Sequence, residues 1–296
     1  MKRLVLSAAA GLVLSVAING AAQAHGPLFS PAPETIFKGG TQLTLGFDRQ
    51  RASGAGETVT QSDGVLEADY GLTADWEIGF RAPYSWRRRN QADANGLGDV
   101  TLDSKYQFWK RDLRAAQYKA AALVKLKLPS GDDGSRPPLG SGSVDLSAGL
   151  VAGYESRRWY WFASGVYRAN REGAGSLKRG DRQFLNLVGG VRPVLSGYKE
   201  PDTVLMLELN FENAARDDLN GLARANSGGW QLFLSPVVWW TYRQLAVRAG
   251  VQLGVARDLN GANQVSAASR RLGLPVLRLR HRKANEPNSR SGVHRH

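Results

Sequence analysis

The sequence predicts an all-β protein, a single antiparallel transmembrane β-barrel of about twelve strands, and three observations carry that prediction. Apolar and polar residues alternate with a period of two through most of the chain after residue 40, the pattern of strands with one dry and one wet face. The alternating runs are about 9 to 11 residues long, enough to cross a bilayer at a tilt, whereas strands of soluble domains centre on about five or six. The connections alternate between short and long, as they do in outer-membrane barrels.

The chain opens with Lys2 and Arg3, an apolar run from Leu4 to Ile18, and Ala22-Gln23-Ala24. That is a secretory signal peptide over 1–24, cleaved before His25. A membrane-spanning helix needs about 20 apolar residues, and Asn19, Gly20 and Gln23 interrupt this run too early. Residues 25–40 are expected as a periplasmic N-terminal segment, 41–280 as the barrel and 281–296 as a basic disordered tail.

In the first strands Leu43, Leu45 and Phe47 oppose Gln42, Thr44 and Asp48, and Leu66, Ala68, Tyr70 and Leu72 oppose Glu67, Asp69 and Gly71. Trp76, Ile78, Phe80, Tyr84 and Trp86 then face away from Glu77, Gly79, Arg81 and Ser85. The stretch GLGDVTLDSKYQF, 96–108, sets Leu102, Tyr106 and Phe108 against Thr101, Asp103, Lys105 and Gln107. Runs at 118–128, 144–155, 205–212 and 245–255 repeat the pattern, while 159–168, 184–193 and 230–240 alternate less cleanly. Short turns are expected at 73–75, 156–158 and 241–244, and long loops at 49–64, 87–98, 129–143, 169–182 and 213–229. Aromatic residues gather at strand ends, Trp76, Trp86, Trp109, Trp159 and Trp240 among them, where an amphipathic ring meets the headgroup layer. The competing reading of these rings is the core of a soluble sandwich, against which the strand lengths weigh.

Eleven strands are countable to Val255, and a bacterial single-chain barrel normally has an even number. The remaining candidate is GLPVLRLR at 273–280. Pro275 cannot donate to a ladder, so this segment is expected to pair poorly or only at an edge. The following HRKANEPNSRSGVHRH contains no aromatic residue and reads as a disordered extension or as the product of an altered reading frame.

There is no cysteine, so disulfides and thiolate metal sites are excluded. The formal charge of +13 invites a nucleic-acid reading, but it sits at the ends. Lys2 and Arg3 belong to the leader, and residues 265–296 carry eight lysines or arginines against Glu286 alone. No basic stripe with interleaved aromatics crosses the strand region. The four histidines are His25, His281, His294 and His296, which leaves the strands without a Ser-His pair, so no enzyme is expected. His25 is the single metal candidate: after cleavage its amine and imidazole could chelate divalent copper, although it has no second strand-borne histidine to complete the set. No cofactor is expected.

Under the barrel reading the polar faces point into a lumen. The inward list is Glu67, Asp69, Glu77, Asp103, Asp145, Glu155, Glu208 and Glu212 against Arg81, Lys105, Lys119, Lys125, Lys127, Arg192 and Arg248. Such a mixture fits either a selectivity-setting pore lining or ion pairs that fill a narrow interior, and strand number does not choose between them.

GLGDVTLDSKYQF at 96–108 and LVKLKLPSGD at 123–132 resemble two motifs of the outer-membrane protein family associated with the meta-pathway of phenol degradation. There a Gly-Leu-Gly-Asp sequence precedes one long strand and Leu-Pro-(Ser/Thr)-Gly-Asp ends the next. HGPLFSPAPETIFKGG, 25–40, is similar to the mature start of a subset of those proteins. The resemblance spans about residues 25–260 and implies a barrel transporter or porin-like channel, with aromatic or other small hydrophobic compounds as cargo. The motif residues Gly96, Gly98, Asp99, Pro129 and Gly131 also have a purely structural reading, as the chemistry of a tight loop return. The functional expectation is therefore an exported outer-membrane channel for small solutes, with membrane lipid, a small-molecule solute and the barrel-assembly machinery as partners. A non-conducting structural or adaptor barrel and a soluble periplasmic ligand-binding β-protein are the alternatives.

Overall fold

The computed structural model describes residues 26–54, 57–197, 200–242, 245–261 and 266–279. The expected signal peptide at 1–24, His25 and the tail at 281–296 lie outside the described residues. The strands are β1 (Thr41–Gly54), β2 (Glu57–Gly71), β3 (Trp76–Arg89), β4 (Ala92–Leu97), β5 (Thr101–Leu113), β6 (Ala116–Lys127), β7 (Asp145–Ser156) and β8 (Trp159–Ala169). They continue through β9 (Leu177–Lys178), β10 (Arg182–Val191), β11 (Asp202–Ala214), β12 (Asp218–Leu219), β13 (Leu222–Ala223), β14 (Gly229–Tyr242), β15 (Leu245–Leu259) and β16 (Ser266–Leu279).

Long β-rich alternating runs joined by tight turns favour neighbour-to-neighbour pairing, and every ladder is antiparallel. The order β1-β2-β3-β5-β6-β7-β8-β10-β11-β14-β15-β16 returns to β1 through the β1–β16 ladder, so the sheet closes. Among the described residues this makes a twelve-stranded barrel. Closure removes both sheet edges, the condition for a sheet to exist in lipid.

Outward-facing Leu45, Leu66, Phe80, Leu102, Leu150, Leu187, Leu207 and Val238 are exposed, while their inward neighbours are buried or half-buried. A continuous exposed apolar belt of this kind belongs in hydrocarbon, not water. Aromatic pairs mark its borders: Tyr84–Trp86 at the long-loop end, with ring centroids 4.9 Å apart, and Trp109–Tyr118–Tyr154 at the short-turn end, at 6.3 and 4.8 Å.

Several connections differ from expectation. Residues 49–64 form no long loop: β1 and β2 stay in register from Thr41↔Tyr70 out to Gly54↔Glu57. Hydrophobic patterning stops where the chain leaves the belt, but ladder hydrogen bonds need no apolar face, so the hairpin continues into solvent. Within 87–98, expected as a loop, β4 folds back on β3, and the strand that follows begins at Thr101. In 169–182 and 213–229, β9, β12 and β13 make a small separate sheet.

β16 is also a correction. It runs along β1 from Thr41↔Leu279 to Ser53↔Ser266, and past Gly273 β1 is its one ladder partner among the described residues, so the expected edge-like pairing holds for 274–279 and fails for the rest. The register slips between Thr44↔Val276 and Gly46↔Gly273, so Pro275 falls in a bulge where its missing N–H costs no ladder bond. Its ladder with β15 is short, from Arg248↔Gly273 to Gln252↔Ser269.

Candidate functional site: the lumen and its N-terminal segment

The segment expected outside the barrel, 25–40, enters it: residues 27–36 lie against inward-facing side chains. Glu208 on β11 is fully buried and accepts the Leu28 N–H at 2.6 Å, the Phe29 N–H at 3.2 Å and the Ser30 hydroxyl at 2.6 Å. Across the barrel Ile36 N–H donates to Glu77 at 2.9 Å, and Gln107 Nε2 donates to the Pro33 carbonyl at 3.0 Å. Lys119 stands between Glu155, at 3.0 Å, and Glu34 of the segment, at 3.6 Å. A chain without its own secondary structure leaves backbone donors and acceptors unmet, and buried ones must find partners. Here inward charges meet that need, and Pro27, Pro31 and Pro33 reduce the number of N–H groups to satisfy.

Packing reinforces this docking. Tyr160, Phe162, Val188, Val204, Met206, Val237 and Trp239 form a buried apolar cluster on the inner face of β8, β10, β11 and β14, and Leu28 and Phe29 pack on it. Two glycines make room: a Cβ on Gly250 would lie 2.9 Å from both Leu28 and Phe29, and one on Gly153 2.9 Å from Pro33. Above the cluster a polar chain crosses strands, with Asn186 donating to Ser164 at 2.9 Å, Asn210 to Asn186 at 3.0 Å, and Ser235 to Asn210 at 2.8 Å.

The opposite wall stays open. A cavity of about 560 Å³ lies between the segment and the inner faces of β1 to β3, β5 to β8 and β10, with Trp239 of β14 and Arg248 of β15 completing its lining. Of the sequence-derived candidates, Glu67, Asp69, Glu77, Arg81, Asp103, Lys105, Lys125, Lys127 and Arg248 line it. Arg81 bridges Glu67 at 2.7 Å and Asp48 at 3.3 Å, and Lys105 pairs with Glu77 at 2.8 Å. Asp69, Asp103 and Lys125 make no ion pair among the described residues. Asp69 and Asp103 flank Gly79 in one cross-strand row, and Asp103 stands opposite Lys125. Apolar Leu123, Val166 and Phe184 share the lining, and the Arg168 guanidinium lies 5.1 Å from the Phe184 ring centroid. The chamber is thus amphipathic, with fixed charge of both signs beside aromatic and aliphatic surface.

The remaining candidates sit elsewhere. Lys119 and Glu208 hold the segment. Glu212 pairs with Arg182 at 2.6 Å, and Arg192, from the wider inward list, with Asp202 at 3.0 Å. Asp145 is buried in a clasp at the long-loop mouth, where Lys127 pairs with it and reaches Asp99 at 3.5 Å. Asp99 accepts the Gly131 N–H at 3.1 Å and the Ser141 N–H at 2.9 Å. Gly131 and Gly140 meet backbone to backbone, since a Cβ on Gly140 would lie 2.3 Å from the Gly131 carbonyl oxygen. The Gly-Leu-Gly-Asp and Leu-Pro-Ser-Gly-Asp motifs therefore tie loop 129–143 to the rim.

Sequence reasoning missed the segment itself, although its signal was present: Leu28 and Phe29 between Pro27 and Pro31, with Ile36 and Phe37 just past Pro33, are too apolar for a solvated lead-in. It also missed Asn186 and Arg168, which lie on strands with weak alternation, and left Asn210, on the clean polar face of 205–212, out of the inward list.

A closed antiparallel barrel with an apolar belt outside and a charged, partly filled lumen inside is the fold of an outer-membrane β-barrel protein. The chain belongs to the family described as "Putative MetA-pathway of phenol degradation", whose model matches residues 39–198. Among solved structures it is similar to an outer membrane channel from Pseudomonas putida F1, with a TM-score of 0.66, 15% identity, and coverage of 82% of this chain and 97% of that one. The β domain of the Bordetella autotransporter BrkA follows at a TM-score of 0.44 and 12% identity, covering 79% of this chain and 98% of that one. No curated protein sequence matches.

Proposed function

We propose that this protein is a channel of the bacterial outer membrane that passes small solutes, aromatic or otherwise hydrophobic compounds bearing a polar group among them. The observation that carries this reading is the cavity between segment 27–36 and the charged wall facing it. Its Asp69, Asp103 and Lys125, without an ion pair among the described residues, lie beside Leu123, Val166 and Phe184, a lining that suits a small ring with a hydroxyl or carboxylate. The family description, which concerns phenol degradation, supports the same cargo class.

The segment is then the constriction. It occupies the side of the lumen nearest the apolar cluster, and passage follows the charged side. One observation favours a non-conducting barrel instead: Glu208, Lys119, Glu77 and Gln107 fasten the segment at several points. The exposed apolar belt argues against a soluble periplasmic protein. Planar-bilayer recording of the purified full chain separates the first two readings. Discrete current steps in salt, with uptake of phenol-sized solutes into liposomes, are expected. An absence of current at any voltage together with no solute uptake overturns the channel. Recovery of the protein in the soluble fraction after carbonate washing of membranes overturns its membrane location.

A further inference from the structure

Outward-facing residues of β1 to β4 form three successive rows at the long-loop end. The lowest contains Phe47, Gly64, Tyr84 and Leu97, the next Arg49, Ser62, Trp86 and Asn95, and the last Arg51, Thr60, Arg88 and Asp93. Rows on one face of a sheet are about 7 Å apart, and residues two strands apart in one row are separated by about 10 Å. Arg49 therefore stands level with Trp86, and Arg51 and Arg88 stand one step beyond it.

All three arginines are exposed, and among the described residues none has a side-chain hydrogen bond or ion pair. At the same end of the barrel the inward charges are matched, as in Arg182–Glu212 and Lys127–Asp145. On these rows the sole carboxylate is Asp93, across from Arg88. Of these three guanidinium groups, without a partner among the described residues, Arg49 lies at the level of an aromatic border whose lower side faces hydrocarbon, and Arg51 and Arg88 lie directly above it. What lies at that level in a membrane is the headgroup layer. Guanidinium forks match phosphate oxygens two at a time and shed water more readily than ammonium groups, and the hydroxyls of Thr60 and Ser62 between them add donors.

We propose that Arg49, Arg51 and Arg88 form a docking surface for the phosphate groups of outer-leaflet lipid. The lipid chains lie along the belt below Tyr84 and Trp86, and the phosphate sits between the arginine side chains. The surface is separate from the lumen and needs no solute passage. It rests on the long-loop end facing outward, which cysteine labelling of whole cells tests independently, whereas the binding experiment below does not depend on orientation.

The test uses the full chain purified in detergent micelles, titrated with bisphosphorylated lipid A and with the same lipid after enzymatic dephosphorylation. At least tenfold tighter binding of the phosphorylated form is expected. The R49Q/R51Q/R88Q variant is expected to lose that preference, R49K/R51K/R88K to keep part of it, and Arg158→Gln, an exposed arginine in a short turn, to keep all of it. If the triple variant fails to assemble, Arg51→Gln and Arg88→Gln are each expected to weaken the preference about threefold by removing one of the three charges. Equal affinity for both lipids, an unchanged preference in the triple variant, or the same loss in Arg158→Gln overturns the proposal. Displacement of the lipid by millimolar inorganic phosphate also overturns it, in favour of a small-anion site.

Discussion

Glu208 and Leu28, 180 residues apart in sequence, are joined by a 2.6 Å hydrogen bond from the Leu28 amide to a fully buried carboxylate. The same carboxylate holds Phe29 and Ser30, so one side chain of β11 fixes the path of the segment through the lumen. Removing it strands two backbone donors and one hydroxyl. Leaving buried groups unmet costs about 1–3 kcal/mol each, while escape of the segment to solvent recovers part of that cost. Glu208→Ala is therefore expected to lower barrel stability by about 3 kcal/mol and to raise single-channel conductance. Loss of stability without a change in conductance would show that the segment does not limit passage.

Lys125 and Lys127 lie two residues apart on the same face of β6, yet their surroundings differ. Lys125 is without an ion pair among the described residues and faces the cavity, whereas Lys127 is held by Asp99 and Asp145. Lys125→Glu should shift reversal potentials in a salt gradient toward cation selectivity with little loss of stability. Lys127→Glu should do the reverse, destabilising the loop clasp by about 3 kcal/mol because Asp145 loses its buried partner. Equal behaviour of the two variants would contradict the assignment.

Asp69 and Asp103 should act with the opposite sign. The paired change D69N/D103N removes two lumen charges that make no ion pair among the described residues, and a shift toward anion selectivity is expected with a melting temperature close to that of the parent. A large stability loss in place of a selectivity change would place these carboxylates in a structural network.

Gly140 touches Gly131 backbone to backbone, and Gly140→Ala forces two chain segments apart. A cost of about 2 kcal/mol is expected from such backbone displacement, read as protease cleavage within 129–143 while the barrel itself remains folded. Cleavage no faster than in the parent would mean that the clasp tolerates the displacement.

Orientation follows from loop asymmetry. Single cysteines at Gly134 and Asn220, both exposed, should react with an impermeant thiol reagent on intact cells, and one at Arg157 should react only after the outer membrane is opened. The opposite pattern would invert the barrel.

The sequence by itself determined the architecture: all-β, antiparallel, about twelve membrane-length strands, with polar faces inside. That much is local, because a two-residue period fixes which side chains share a face wherever the strand pairs. It also contained the family motifs at 96–99 and 128–132, whose chemistry as loop closures could be read from glycine, aspartate and proline alone. Tertiary structure decided what the inward charges do. Glu77, Lys105, Lys125 and Glu208 look alike in the alternation, yet Glu208 and Glu77 hold the segment, Lys105 is paired with Glu77 beside it, and Lys125 is left facing the cavity. The difference comes from contacts between residues up to 180 positions apart, set by closure of the barrel and by a segment with no periodicity of its own. Pro275 shows the same limit. Its missing donor argued against a strand, and only the register between β1 and β16 placed it where that donor is not needed.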